Sequence, residues 1–137
     1  MHKRDYLVKQ FEEFSKVLAI FLGLKRDGKF SELSELINES VLKYTSTEIK
    51  YIEGLKDDGF IETLTDDKKL SDDQLKILAD LVFEKGNYYS TIPSTENESH
   101  NCYKKSLLLY TFLISHATLN YSLDMHYKIE ILRKMKY

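Results

Sequence analysis

The sequence predicts an all-α protein, a compact bundle of about six helices, and three observations carry that prediction. Its 137 residues hold one proline and five glycines, too little punctuation for the many turns of a β-protein and well suited to long helices. Apolar residues recur at steps of three and four over much of the chain, the spacing that gathers them on one face of a helix. An amphipathic segment also ends twice at a Gly-x-aromatic step, Gly28-Lys29-Phe30 and Gly86-Asn87-Tyr88. Glycine accepts the left-handed backbone found just past a helix end, and an aromatic two residues on can fold back between two helices. The pattern is the grammar of a helical hairpin used twice.

Taken in order, Leu7, Phe11, Phe14, Leu18, Phe21 and Leu22 form one apolar stripe, so a long helix is expected from about Asp5 to Lys25. Lys25 and Arg26 suit the partial negative charge of its last turn, and Asp27-Gly28 ends it. Phe30 opens the return helix, whose inward face is Leu33, Leu36, Ile37, Val41 and Tyr44. Thr47 to Leu64 reads as two short helical pieces separated by the Lys56-Asp57-Asp58-Gly59 turn. Ser71 and Gln74 have the spacing of a capping box, so a helix starts there, carries Leu75, Leu78, Ala79, Val82 and Phe83 inward, and is expected to stop near Gly86.

The polar stretch 89–99 surrounds the single proline, Pro93, and is expected to be a mobile loop, with Thr95 and Glu98 offering a second capping box. The helix that follows, about Ser99 to Leu119, places Tyr103, Leu107, Tyr110, Ile114 and Ala117 on one face, and Leu108, Leu109, Phe112 and Leu113 on others. Being apolar nearly all round, it is expected to be the central helix. Met125, Ile129, Leu132 and Met135 mark a last amphipathic helix, with Arg133, Lys134 and Lys136 near its end.

The bulk properties bound the function. A chain of this length fits a single domain over 1–137 with a core of its own. With 20 basic and 22 acidic residues the formal charge is −2, which gives no global field to draw in nucleic acid. The first residues carry charge throughout, and the densest apolar run, Leu107 to Ile114, is too short to cross a bilayer, so no membrane role is expected. The single cysteine, Cys102, agrees with a reducing, cytoplasmic location. Without export, the Asn-x-Ser tripeptides at Asn38, Asn97 and Asn120 are chance matches to a glycosylation acceptor.

The segment Leu78 to Gly86, followed by Tyr103-Lys104-Lys105-Ser106-Leu107-Leu108-Leu109-Tyr110, resembles the two helices of a tetratricopeptide repeat, and Gly28 to Leu33 is similar to the turn of another. Arg4-Asp5-Tyr6 with its Phe/Leu-rich helix, and Asn120-Tyr121-Ser122-Leu123-Asp124 before a basic helix, resemble a bacterial family of small helical proteins of unknown function. The resemblance implies tetratricopeptide-like hairpins and supplies no catalytic residues. A repeat of this type normally runs 34 residues, whereas the stretch from Tyr89 to His100 separates the two helices here, so a degenerate bundle is expected rather than a regular superhelix.

Chemical signals are sparse. Cys102 and His100 stand two apart, which on a helix points them in different directions, so the cysteine reads as structural or inert. His2, His100, His116 and His126 lack metal-ligand spacing, and His116 reads as a polar spot on its helix. Asp57, Asp58, Asp66, Asp67, Asp72 and Asp73 lack the frame of a calcium loop and read as caps and solvated acids. No catalytic, cofactor-binding or metal residue is therefore assigned. Tyrosine is in excess, with ten copies, and Tyr88, Tyr89 and Tyr103 flank the polar loop as candidate partner contacts. The expectation is a noncatalytic cytoplasmic module that binds another protein or itself as a homodimer. Two other classes compete: a small-molecule-binding helical protein with weak enzymatic activity near His116 or the loop, and a regulatory nucleic-acid binder using the basic C-terminus.

Overall fold

A computed structural model describes residues 3–116 and 122–135, with side chains at 9–10, 12–116 and 123–135. Among the described residues every regular element is helical: α1 (Lys3–Arg26), α2 (Phe30–Thr45), α3 (Ile49–Gly54), α4 (Phe60–Glu62) running into a π-helical turn (Thr63–Asp67), α5 (Asp72–Ser90), α6 (Glu96–His116) and α7 (Ser122–Lys134). The all-α class read from the sequence is the observed one. The chain forms two compact units that divide between Leu36 and Ile37, inside α2.

In the first unit, α1 ends as its sequence dictates. Gly28 adopts φ of 71°, its N–H reaches Lys25 O at 3.1 Å, and Lys29 N–H reaches Leu24 O at 2.9 Å. This pair of bonds satisfies two carbonyls that the helix end would otherwise leave without partners. Phe14, Phe21 and Leu33 are buried. Leu22, expected on the inward stripe, is 67% exposed instead. The expected contributions of Leu7 and Phe11 lie outside the described side chains.

In the second unit, Ile37, Val41 and Tyr44 of α2 are buried as their spacing requires. The Ser71–Gln74 capping box forms, with Ser71 N–H donating to Gln74 Oε1 at 2.9 Å and Gln74 N–H to Ser71 Oγ at 3.2 Å. Gln74 Nε2 also donates to Tyr44 O at 3.1 Å, fixing the start of α5 to the end of α2. Ser99 and Tyr103, near the start of α6, bond Gly86 and Asn87, late in α5; Ser106 and Tyr110 bond Ala79 and Asp80, two turns earlier. The two helices are thus an antiparallel hairpin.

Four expectations for this unit are corrected. Gly86 does not end α5, which runs on to Ser90, because the helical backbone needs no left-handed residue there and the glycine serves a close contact described below. The loop is correspondingly shorter than 89–99: Tyr89 and Ser90 belong to α5, Glu96 to Ser99 belong to α6, and residues 91–95 make the turn. The Thr95 hydroxyl sits within reach of two carbonyls inside that turn, Tyr89 O at 2.5 Å and Ile92 O at 2.8 Å, rather than capping α6 through Glu98. The helix buried all round is α5, where Leu75 to Val82 is buried without interruption; Leu107, Leu108, Phe112 and Ile114 of α6 are only half-buried. Ala117 and Asn120 to Tyr121 lie outside the described residues. Met125, Ile129 and Leu132 of α7 are buried as expected.

Candidate functional site

The unexpected feature of the second unit is the charge that its most buried helix carries. Lys76 and Asp80 sit one turn apart on α5 and are 7% and 4% exposed, with their side-chain termini 2.7 Å apart. Asp80 Oδ1 also accepts from Tyr110 Oη of α6 at 2.5 Å and from Lys128 Nζ of α7 at 3.0 Å. Asp124 of α7 closes the group, 3.2 Å from Lys76 Nζ and 3.8 Å from Lys128 Nζ. Lys128 lies over the rings of Phe83 and Tyr110, where the electron-rich faces attract its ammonium. Lys76 and Asp80 thus balance each other in the interior, as buried charge requires, while the half-buried Lys128 and the exposed Asp124 extend the group to the surface. Burial and the neighbouring Asp80 carboxylate hold the Tyr110 hydroxyl well above the usual tyrosine range, so it stays a donor.

A second polar cluster joins α2, α3, α5 and α6. Lys85 is 4% exposed, donates to Asn38 Oδ1 at 2.9 Å and lies over the rings of Tyr88 and Tyr89. Burial lowers the Lys85 ammonium from its ordinary range, and the nearby Glu53 carboxylate opposes that shift. Tyr89 Oη donates to Glu53 at 2.8 and 3.0 Å, and Asn101 Nδ2 donates to Glu53 O at 2.8 Å. Lys105, 1% exposed, bonds Asn101 Oδ1 at 2.7 Å and Asp57 at 3.3 Å, over the ring of Phe60.

The predicted contact residues are placed by this packing. Tyr103 is 7% exposed and donates to Asn87 Oδ1 at 2.7 Å; Tyr88 and Tyr89 are half-buried, their rings tilted to each other with centroids 5.6 Å apart. Tyr89 and Tyr103 tie α5 to α3 and α6, and among the described residues the exposed tyrosines are Tyr51 and Tyr127, at 41% and 65%. At Gly86 α5 lies close against α6: an added Cβ would lie 2.8 Å from two ring carbons of Tyr103 and 3.3 Å from Cys102 Cβ. Cys102 is fully buried, and burial together with the Glu53 carboxylate pushes its thiol up to about 12. Such a thiol is a poor nucleophile at neutral pH, in keeping with an inert role.

His116 is exposed and stacks on Phe112 at 4.7 Å. Asp57 takes part in the Lys105 contact, whereas Asp72 and Asp73 occupy the first turn of α5, where the helix N-terminus favours acids. Among the described residues no group of three His, Cys, Asp or Glu side chains is placed to hold a metal ion, and no helix is long and apolar enough to cross a membrane. An open groove of about 310 Å³ lies between α2 and α3, lined by Asn38, Glu39, Leu42, Glu48, Ile49 and Lys50.

One surface is conspicuous. On α7, Leu123 and Tyr127 are 86% and 65% exposed, one turn apart, and Glu130 and Lys134 continue the same face as an ion pair at 3.6 Å. With 3.6 residues per turn these four stand opposite the buried Met125, Ile129 and Leu132. Sequence reasoning named Tyr88, Tyr89 and Tyr103 as candidate contacts and did not name this face. The signal was present in Leu123 and Tyr127 at i and i+4, out of phase with the inward stripe. No protein-family model, curated protein sequence or solved structure matches this chain significantly.

Proposed function

We propose that this chain is a noncatalytic cytoplasmic protein-interaction module whose contact surface is the outward face of α7. The observation that carries the reading is the pair Leu123 and Tyr127, large apolar side chains held in water on a helix whose opposite face is anchored in the core. The matching partner presents an apolar groove with an acceptor for the Tyr127 hydroxyl and charge to meet the Glu130–Lys134 pair. The internal engagement of Asp80, Lys85, Lys105 and Tyr110 supports a noncatalytic role, since each holds helices together. The α5–α6 hairpin is read as tetratricopeptide-like, a reading supported by the small residue Gly86 where its helices lie close together.

The test is affinity capture with the intact chain and with a Leu123→Ala/Tyr127→Ala variant of equal helicity. The native chain retains a defined partner, and the variant binds it more weakly by about 2 kcal/mol or more, the loss typical of a central aromatic anchor. Equal binding by both chains, or no partner for either, would overturn the reading.

A further inference from the structure

The inner face of α7 carries a second message. The charged quartet, buried on α5 and open to solvent at Asp124, consists of two pairs, each neutral and each within one helix: Lys76–Asp80 on α5 and Asp124–Lys128 on α7, both spaced i, i+4. The contacts between helices, Lys76 to Asp124 and Lys128 to Asp80, are added to those internal pairs. If α7 leaves, Asp80 keeps Lys76 and the Tyr110 hydroxyl, and Lys128 keeps Asp124. No charge is stranded on either side, in contrast to a buried pair shared between two elements, whose separation leaves each ion alone. A further polar contact of α5 with α6, Ser106 Oγ to Ala79 O at 2.7 Å, is made without α7.

We propose that the α5–α6 face covered by α7 is a helix-receiving site, and that the α7 of a second copy is its intermolecular occupant. The site reads a specific pattern: Asp124 and Lys128 set register and direction by meeting Lys76 and Asp80, while Met125, Ile129 and Leu132 fill the apolar space beside them. A helix running the other way, or shifted by one residue, brings like charges together or turns its apolar side chains outward. The second copy satisfies the pattern by construction, and exchange of α7 yields a dimer whose buried contacts are those of the single chain.

Two synthetic peptides of residues 122–135, labelled with a fluorophore, test this against the intact chain. One has the native sequence and the other carries D124K/K128D, which keeps net charge and the helix's internal pair but reverses the order the site reads. The native peptide is expected to bind saturably, and the reversed one about tenfold more weakly or worse. Light scattering on the concentrated chain is expected to show a dimer in slow exchange with monomer. No binding of the native peptide, or equal binding of the two, overturns the proposal. A native peptide that also carries L123A/Y127A binds unchanged here, so failure of this site is distinguishable from failure of the outward face.

Discussion

Gly28 and Gly86 look alike in the sequence, each followed two residues on by an aromatic, yet they do opposite work. Gly28 sits at φ of 71° with nothing within 4 Å of where a Cβ would go: its role is backbone conformation. Gly86 is an ordinary helical residue whose missing side chain lets α6 approach: its role is space. The α1–α2 turn is thus closed by main-chain bonds, whereas the α5–α6 hairpin is held by side chains meeting across it. A glycine before an aromatic therefore names no mechanism until the neighbouring helix is known.

The largest effect is expected where the side-chain hairpin is most highly charged. Asp80→Ala leaves the buried Lys76 with only the exposed Asp124 as a carboxylate partner, removes the acceptor of Tyr110 and Lys128, and is expected to cost about 3 kcal/mol in urea unfolding. A cost near that of a surface substitution would break the contrast, because α5 and α6 would then not depend on cross-helix contacts.

The two glycines give the next test. Gly86→Val is expected to cost about 3 kcal/mol through overpacking against the Tyr103 ring, and much of that cost is relieved when combined with Tyr103→Leu. Gly28→Ala is expected to cost about 1 kcal/mol from the left-handed backbone, and no neighbouring substitution relieves it. Double-mutant cycles measure both, and additivity at Gly86 would erase the distinction.

The smallest effect comes from alkali. The Cys102 thiol is raised from 9.0 to about 12 in the folded protein, first by burial and then by Glu53. Its contribution to stability is therefore fully present below pH 9 and is lost as pH rises through about 12, because the unfolded chain ionises first. Lys85, lowered by burial, acts in the opposite sense, so the difference between the native chain and Cys102→Ala isolates the thiol. That difference is expected to shrink above pH 9, and a constant difference would show that the thiol's surroundings do not resist ionisation.

What the sequence made legible was local. The Ser71–Gln74 box, the Gly28 helix end and most inward residues of α2 and α7 each rest on bonds or spacings within a few residues and form as read, Leu36 and Met135 being only half-buried. The choice of central helix failed because it rested on apolar content alone, whereas α5 buries Lys76, Asp80 and Lys85 among its apolar residues. Each charge is reconciled with burial by partners at 124, 128, 110 and 38, which no local window contains. The internal partners of the tyrosine trio were hidden for the same reason: the Tyr89 and Tyr103 hydroxyls find Glu53 and Asn87 only once helices meet.

The buried lysines also decide how the folded protein meets enzymes that act on basic residues. Between Leu70 and Tyr103 the only Lys or Arg residues are Lys76 and Lys85, and both are buried. To a trypsin-like protease the native chain is blank across this stretch, and reagents that tag amines pass over it. Cleavage or tagging at these two positions is consequently a direct clock for the opening of the α5 region.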